Sequence, residues 1–173
     1  KDYFKKDYFV TKKQNIVVIE NTIYHPSVKK EVKDLFLNLL EKLKKLGHAI
    51  KYVNLPLLDY LVPAYYILST AEASSNLARY DGIKYGFRAE DSKSWKDVIK
   101  NSRSKGFGKE VKRRILLGSF VLSEGYYRNY YSKAQKIRRL IKEETEKLLL
   151  ENNFILTPTS PVLPFKIGVE QKD

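Results

Sequence analysis

The stretch "NIVVIENTIYHPSVKKEVKDLFLNLLEKLKKLGHAIKYVNL", residues 15–55, decides the fold. It opens on Ile16, Val17, Val18 and Ile19, four consecutive apolar residues rich in β-branching and ended by polar groups, which predicts a short buried strand. Pro26 and Ser27 then suit the first turn and cap of a helix. Val28, Val32, Leu35, Leu39, Leu43 and Leu46 recur every three or four residues, so one apolar stripe is expected along it. Gly47 supplies a C-terminal cap, and "HAIKYVNL" reads as a second strand. Strand, helix and strand joined this tightly form a βαβ unit with parallel strands.

Downstream, "AYYILSTAEASSNLA" has no breaker before Asp81-Gly82 and reads as a helix followed by a turn. Its interior is unusual. Ala71, Ala73, Ser74, Ser75 and Ala78 stand where an amphipathic helix would carry leucines, so another backbone or a ligand must approach closely. "SWKDVIKNSRS" predicts a short helix capped by Ser94, with a Gly-Phe-Gly connection after it. "EVKRRILLGSFVL" is apolar on nearly every side beyond Arg114, which predicts a buried helix. From Gly125 to about Glu151 a long helix is expected, with Tyr127, Tyr130, Tyr131, Ala134, Ile137, Ile141 and Leu148 on one face. "FILTPTSP" closes as a strand running into a proline-bounded turn. The alternation predicts an α/β layered domain over residues 15–173, preceded by a basic loop or linker over residues 1–14, where Lys-Asp-Tyr-Phe occurs twice.

Composition bounds the function. The 173 residues suffice for one compact domain, with 43% hydrophobic and 31% charged residues, as in globular proteins rather than disordered ones. No apolar run reaches bilayer length, so no membrane partner is expected. Zero cysteines remove any disulfide or thiolate metal site and are compatible with a reducing cytoplasm. His25 and His48 lack ligand spacing, so no metal site is expected. The chain begins at Lys1 and contains no methionine, which suggests a piece of a longer protein. Its 33 Lys and Arg against 20 Asp and Glu give a net charge of +13, a field that favours polyanions or simply a lysine-rich solvated surface.

Candidate chemistry is sparse. "GFGKE", 106–110, lacks both the glycine spacing and the Ser or Thr of a phosphate loop. Ser74-Ser75 has no local base to activate a hydroxyl, and no Gly-x-Ser-x-Gly elbow is present. In "KAQKIRRLIKEETEK", cations precede anions along the helix, which describes a solvated face better than an RNA groove. The tyrosines nearby fit core packing better than base stacking. Arg113 and Arg114 differ, because one of them should point inward from an apolar helix. An uncompensated charge there would cost about 3–5 kcal/mol, so the partner is a carboxylate such as Glu72 or Asp81, or a ligand anion.

Four segments in order carry a resemblance: "PAYYILSTAEASSNLARYDGIKYGFR", "SRSKGFGKEVKRRILLGSFVLSEGYY", "YYSKAQKIRRLI" and "ILTPTSPVLPFKIG". Together they resemble the later half of the amidase-signature family, nearest the A subunits of bacterial glutamyl-/aspartyl-tRNA amidotransferases. The resemblance implies a mixed β-sheet covered by helices. It also implies a protein that hydrolyses glutamine and hands ammonia to a partner, which activates misacylated glutamyl- or aspartyl-tRNA with ATP and Mg2+. The B and C subunits would be the partners and the cytoplasm the compartment. The family's Gly/Ser-rich signature, with its nucleophile, second serine and lysine, has no counterpart in these residues. No catalytic residue or cofactor is therefore expected in this chain, and the chain alone should be inactive. What matches is the substrate side, where the family's equivalents of Tyr65 and Arg114 hold glutamine. The small-residue helix would then let the glutamine pocket and neighbouring sheet pack closely. Other readings are a different amidase-signature hydrolase and a basic RNA-binding module.

Overall fold

The computed structural model describes residues 12–168, which form two compact units. Most of the predicted basic linker, residues 1–11, lies outside the described residues.

The first unit holds residues up to Pro56 and those from Lys142 onward. Its three strands are β1 (Asn15–Ile19), β2 (Ala49–Val53) and β3 (Phe154–Leu156), in the order β2-β1-β3. Both pairings are parallel, with Ile16 opposite Ile50 on one side and Phe154 on the other. The α/β expectation holds; the three strands described are all parallel to one another, with no antiparallel member. β1 is central, which explains its unbroken apolar run: Ile16, Val17, Val18 and Ile19 are all buried. The edge strand β2 is more open, with Lys51 and Tyr52 exposed. A four-residue helix, α1 (Asn21–Tyr24), follows β1 and adds Ile23 to the core.

The crossover helix α2 (Lys30–Lys45) corrects the predicted stripe. Phe36 and Leu40 are the buried residues, with Leu37 and Leu43 packed beside them against Ile16, Val18 and Ile23. Leu35, Leu39 and Leu46 are exposed. The run Leu35-Phe36-Leu37-Asn38-Leu39-Leu40 supports two apolar stripes, and periodicity alone does not tell which one meets the sheet. Ser27 is not the cap either. Its hydroxyl lies 2.6 Å from His25 Nδ1, and the helix starts only after Lys29, whose amide donates to the Pro161 carbonyl at 2.8 Å. The other end is as expected. Gly47 sits at φ +87°, and His48 N–H and Gly47 N–H donate to the Leu43 and Lys44 carbonyls, closing a Schellman motif.

The second unit spans Leu57–Ile141. A 3-10 turn, Pro56–Tyr60, leads into α3 (Leu61–Leu77), whose Pro63 stands in the first turn, where a missing N–H costs no helical bond. Then come α4 (Trp95–Gly106), α5 (Lys109–Leu122) and α6 (Tyr131–Glu151), the last continuing into the first unit. Ser94 caps α4 as predicted, accepting from the Asp97 amide while its hydroxyl donates to the Asp97 carboxylate. Ser94→Ala should cost about 1 kcal/mol of stability in denaturant titration, and Ser94→Asp should restore most of it.

Candidate functional site

The site begins with how α3 and α5 meet. Tyr65, Thr70 and Ser74 lie beside Arg114, Gly118 and Ser119 in that order, so the two helices run side by side in the same sense. Gly118 is the closest point. A Cβ built there would overlap the Thr70 carbonyl oxygen and come within 2.6 Å of the Ser74 Cβ. The buried Thr70 turns its own hydroxyl back to the Tyr66 carbonyl at 2.7 Å, which satisfies it within α3. The small residues of α3 therefore admit another helix, with Gly118 of α5 as the point of closest approach.

The same geometry settles the serine pair. The Ser74 and Ser119 hydroxyls are 3.0 Å apart, and Ser119 also donates to the Ile115 carbonyl at 2.9 Å. Ser74 thus ties two helices together and has no base against it. The prediction that α5 is a buried helix is corrected too. Only Gly118 and Val121 are buried, while Leu116 is 72% exposed, because α5 buries only the narrow face that meets α3.

Tyr65 on α3 and Arg114 on α5, 49 residues apart in sequence, come together at the N-terminal parts of these helices. Arg114 is neither buried nor paired with Glu72 or Asp81. Its side chain is 39% exposed, and its Nε donates to Glu110 Oε1 at 2.7 Å. Arg113 takes the other carboxylate oxygen, Oε2, also at 2.7 Å, so Glu110 forks across both arginines from the first turn of α5. Hydrogen bonding from Arg114 holds the Glu110 carboxyl below the usual carboxylate range, and the Arg113 and Arg114 charges add to this. Glu110 in turn raises the Arg114 guanidinium above its ordinary value, with a further contribution from the Tyr65 phenol. Glu110 is a site residue that sequence reading missed, although it stands four positions before Arg114, the spacing that joins side chains on one helix face. Asp81 is spent elsewhere: its carboxylate accepts from the Ile83 and Lys84 amides and closes the predicted turn.

Tyr65 also lines a hollow of about 330 Å³ with Leu61, Ala64, Leu68, Ser69, Glu72, Arg138 and Ile141. It is largely apolar, with Glu72 and Arg138 as its charged members, and Arg114 is not among its walls. On α6 the ion pairs Lys142–Glu146 and Lys147–Glu144 are exposed, the solvated face expected there. Tyr126 and Tyr130 cluster with Phe120 and remain partly exposed, rather than entering a core. Among the described residues no group of His, Cys, Asp and Glu could hold a metal ion, and no helix is long and apolar enough to cross a membrane.

The family model for amidases matches residues 2–173. The chain belongs to the amidase family. Over 158 residues this amidase chain is 53% identical to the A subunit of the glutamyl-tRNA(Gln) amidotransferase of Campylobacter curvus, covering 91% of this chain and 34% of that one. The same-named protein of Clostridium botulinum is 46% identical over 170 residues, 98% of this chain and 35% of its own length. A third, from Sulfolobus acidocaldarius, is 51% identical over 139 residues, 80% and 29% respectively, so the likeness is not confined to bacterial proteins. Among solved structures, the glutamyl-tRNA(Gln) amidotransferase A subunit of Thermotoga maritima superposes with a TM-score of 0.60 at 38% identity, over 92% of this chain and 29% of that one. The amidase chain thus spans about a third of the length of the relatives it matches.

Proposed function

We propose that this chain forms the glutamine-holding part of the glutamine-hydrolysing subunit of a tRNA-dependent amidotransferase. The observation that carries the reading is the meeting of Tyr65 and Arg114 across α3 and α5, in a chain about half identical to subunits of that name. Arg114 spends its Nε–H on Glu110, and its terminal nitrogens retain donors in the geometry that grips a carboxylate through two parallel bonds. The glutamine α-carboxylate is the group they would take, with the Tyr65 hydroxyl and ring beside it. Glu110 orients the guanidinium through its Nε–H without competing for its terminal nitrogens.

The chemistry of amide hydrolysis then falls to residues outside this chain. A serine attacks a carboxamide only when a base removes its proton, and Ser74, bonded to Ser119, has none. Ammonia released in the complete enzyme passes to the B and C subunits, where ATP and Mg2+ activate the side-chain carboxylate of Glu-tRNA(Gln) or Asp-tRNA(Asn). A compartment that holds tRNA, ATP and glutamine, such as the cytoplasm, suits this reaction.

Ammonia release tests the reading. The full-length protein in its complex should release ammonia from glutamine far faster than from simple aliphatic amides, whereas preference for simple amides would make it a different amidase. The purified 173-residue chain should release none from glutamine. Serine-directed release by the chain alone would overturn the assignment of catalysis to residues elsewhere.

A further inference from the structure

Glu110 is shared by two arginines, and the glutamine reading uses only Arg114. Its Oε1 accepts from Arg114 Nε and its Oε2 from Arg113 Nη2, both at 2.7 Å. The arginines follow Glu110 by three and four residues, the spacings that bring side chains together on a helix. Glu110 itself stands in the first turn of α5, where the positive end of the helix favours an anion. A glutamine α-carboxylate approaching Arg114 therefore enters the field of a fixed carboxylate.

Charge decides what Arg113 does there. One carboxylate held between two guanidinium groups leaves the trio with a net positive charge. Without Arg113, Glu110 and Arg114 form a neutral pair, and an arriving carboxylate meets repulsion as well as attraction. The freed Oε2 would also take a second N–H of Arg114, on a terminal nitrogen, in the two-bond geometry that carboxylates favour. Both effects act against glutamine. Neither disturbs the packing, because the Arg113 side chain is 68% exposed. No neighbouring lysine takes its place. Lys112 turns its Nζ to the Ser104 carbonyl at 2.6 Å, and Lys109 adjoins Glu110 in sequence, a spacing that does not share a helix face.

We propose that Arg113 is a positioning residue for glutamine: it neutralises the carboxylate that orients Arg114, so that the Arg114 charge stays available to the substrate. The inference rests on the glutamine reading of Arg114. Glutamine- and ammonia-driven turnover of the complete complex are measured for Arg113→Gln, Arg113→Lys, Glu110→Gln and the double change Arg113→Gln with Glu110→Gln. Arg113→Gln should raise KM for glutamine about two- to fivefold, with kcat and ammonia-driven turnover held. Arg113→Lys keeps the charge and should stay near the unaltered enzyme. The double change restores the net positive charge, so its KM should fall back to that of Glu110→Gln alone. An unchanged KM in Arg113→Gln, an equal rise in Arg113→Lys, or losses that multiply in the double change would overturn the inference. So would a matching loss of ammonia-driven turnover, which would make Arg113 structural. Arg114→Lys separates the two levels. If it raises KM while Arg113→Gln does not, only the role of Arg113 fails; if it leaves KM unchanged, both this inference and the glutamine reading are overturned.

Discussion

Gly118→Ala is expected to destabilise the chain by about 2 kcal/mol. Alanine gains roughly 1 kcal/mol over glycine in a helix interior, so propensity alone favours the change. Against this stands the Thr70 carbonyl, which the new methyl would overlap, with the Ser74 Cβ at 2.6 Å as a second obstacle. Backbone cannot rotate away as a side chain can. α3 and α5 must separate, which loosens the Ser74–Ser119 bond and the packing along both helices. Overpacking costs about 1–3 kcal/mol and more where backbone is the obstacle, so the overlap wins over propensity. Gly125→Ala is the comparison: nothing lies within 4 Å of a Cβ there and its φ is not positive, so stability should stay level or rise slightly. Urea titration of the two variants separates the explanations, because equal shifts would mean that Gly118 is not a contact point.

That contact shows how sequence and structure divide the information. The small residues of α3 announced a close approach, yet α5 was not foreseen as the partner, because spacing within one helix carries no record of which distant backbone comes near. The glycine that answers them lies in Leu-Leu-Gly-Ser-Phe, 48 residues after Thr70. The βαβ unit was legible because β1 is an unbroken apolar run in the centre of the sheet and Gly47 ends α2 in a left-handed conformation that glycine adopts freely. The buried face of α2 was not legible, since six residues around Phe36 offer two stripes of similar hydrophobicity.

The site divides similarly. Arg113-Arg114 at the head of an apolar helix suggested an inward charge that needs a carboxylate, sought in Glu72 and Asp81, or a ligand anion; neither arginine is buried. Glu110 lay one helical turn away. Burial was misjudged for the same helix: an all-round apolar pattern describes what a segment can bury, and α5 here buries little beyond Gly118 and Val121. The meeting of Tyr65 with Arg114 depends on the parallel course of α3 and α5, which no local pattern encodes.

Arg114→Lys in the complete enzyme is expected to cost on the order of tenfold to a hundredfold in kcat/KM for glutamine. A charge-assisted hydrogen bond contributes roughly 1.5–3 kcal/mol, and lysine keeps the charge while losing the planar fork. The α-carboxylate is remote from the amide that reacts, so its binding is common to ground and transition states, and the loss should fall mainly on KM. Glu110 complicates a simple reading, because the same substitution breaks the fork to Arg114. Glu110→Gln isolates that effect: it weakens the support while leaving Arg114 in place, and its KM should rise less. The stabilisation from Glu110 is present above the ordinary carboxylate range and fades as pH falls through its lowered pKa, so an assay near neutrality leaves it intact.

The decisive measurement compares glutamine-driven with ammonia-driven transamidation by the complex carrying Arg114→Lys. Free ammonia bypasses the pocket. A raised KM for glutamine with ammonia-driven turnover unchanged is the result expected of a carboxylate anchor. Equal loss of both activities would reduce Arg114 to a structural partner of Glu110 and contradict the assignment of the Tyr65–Arg114 pair to glutamine.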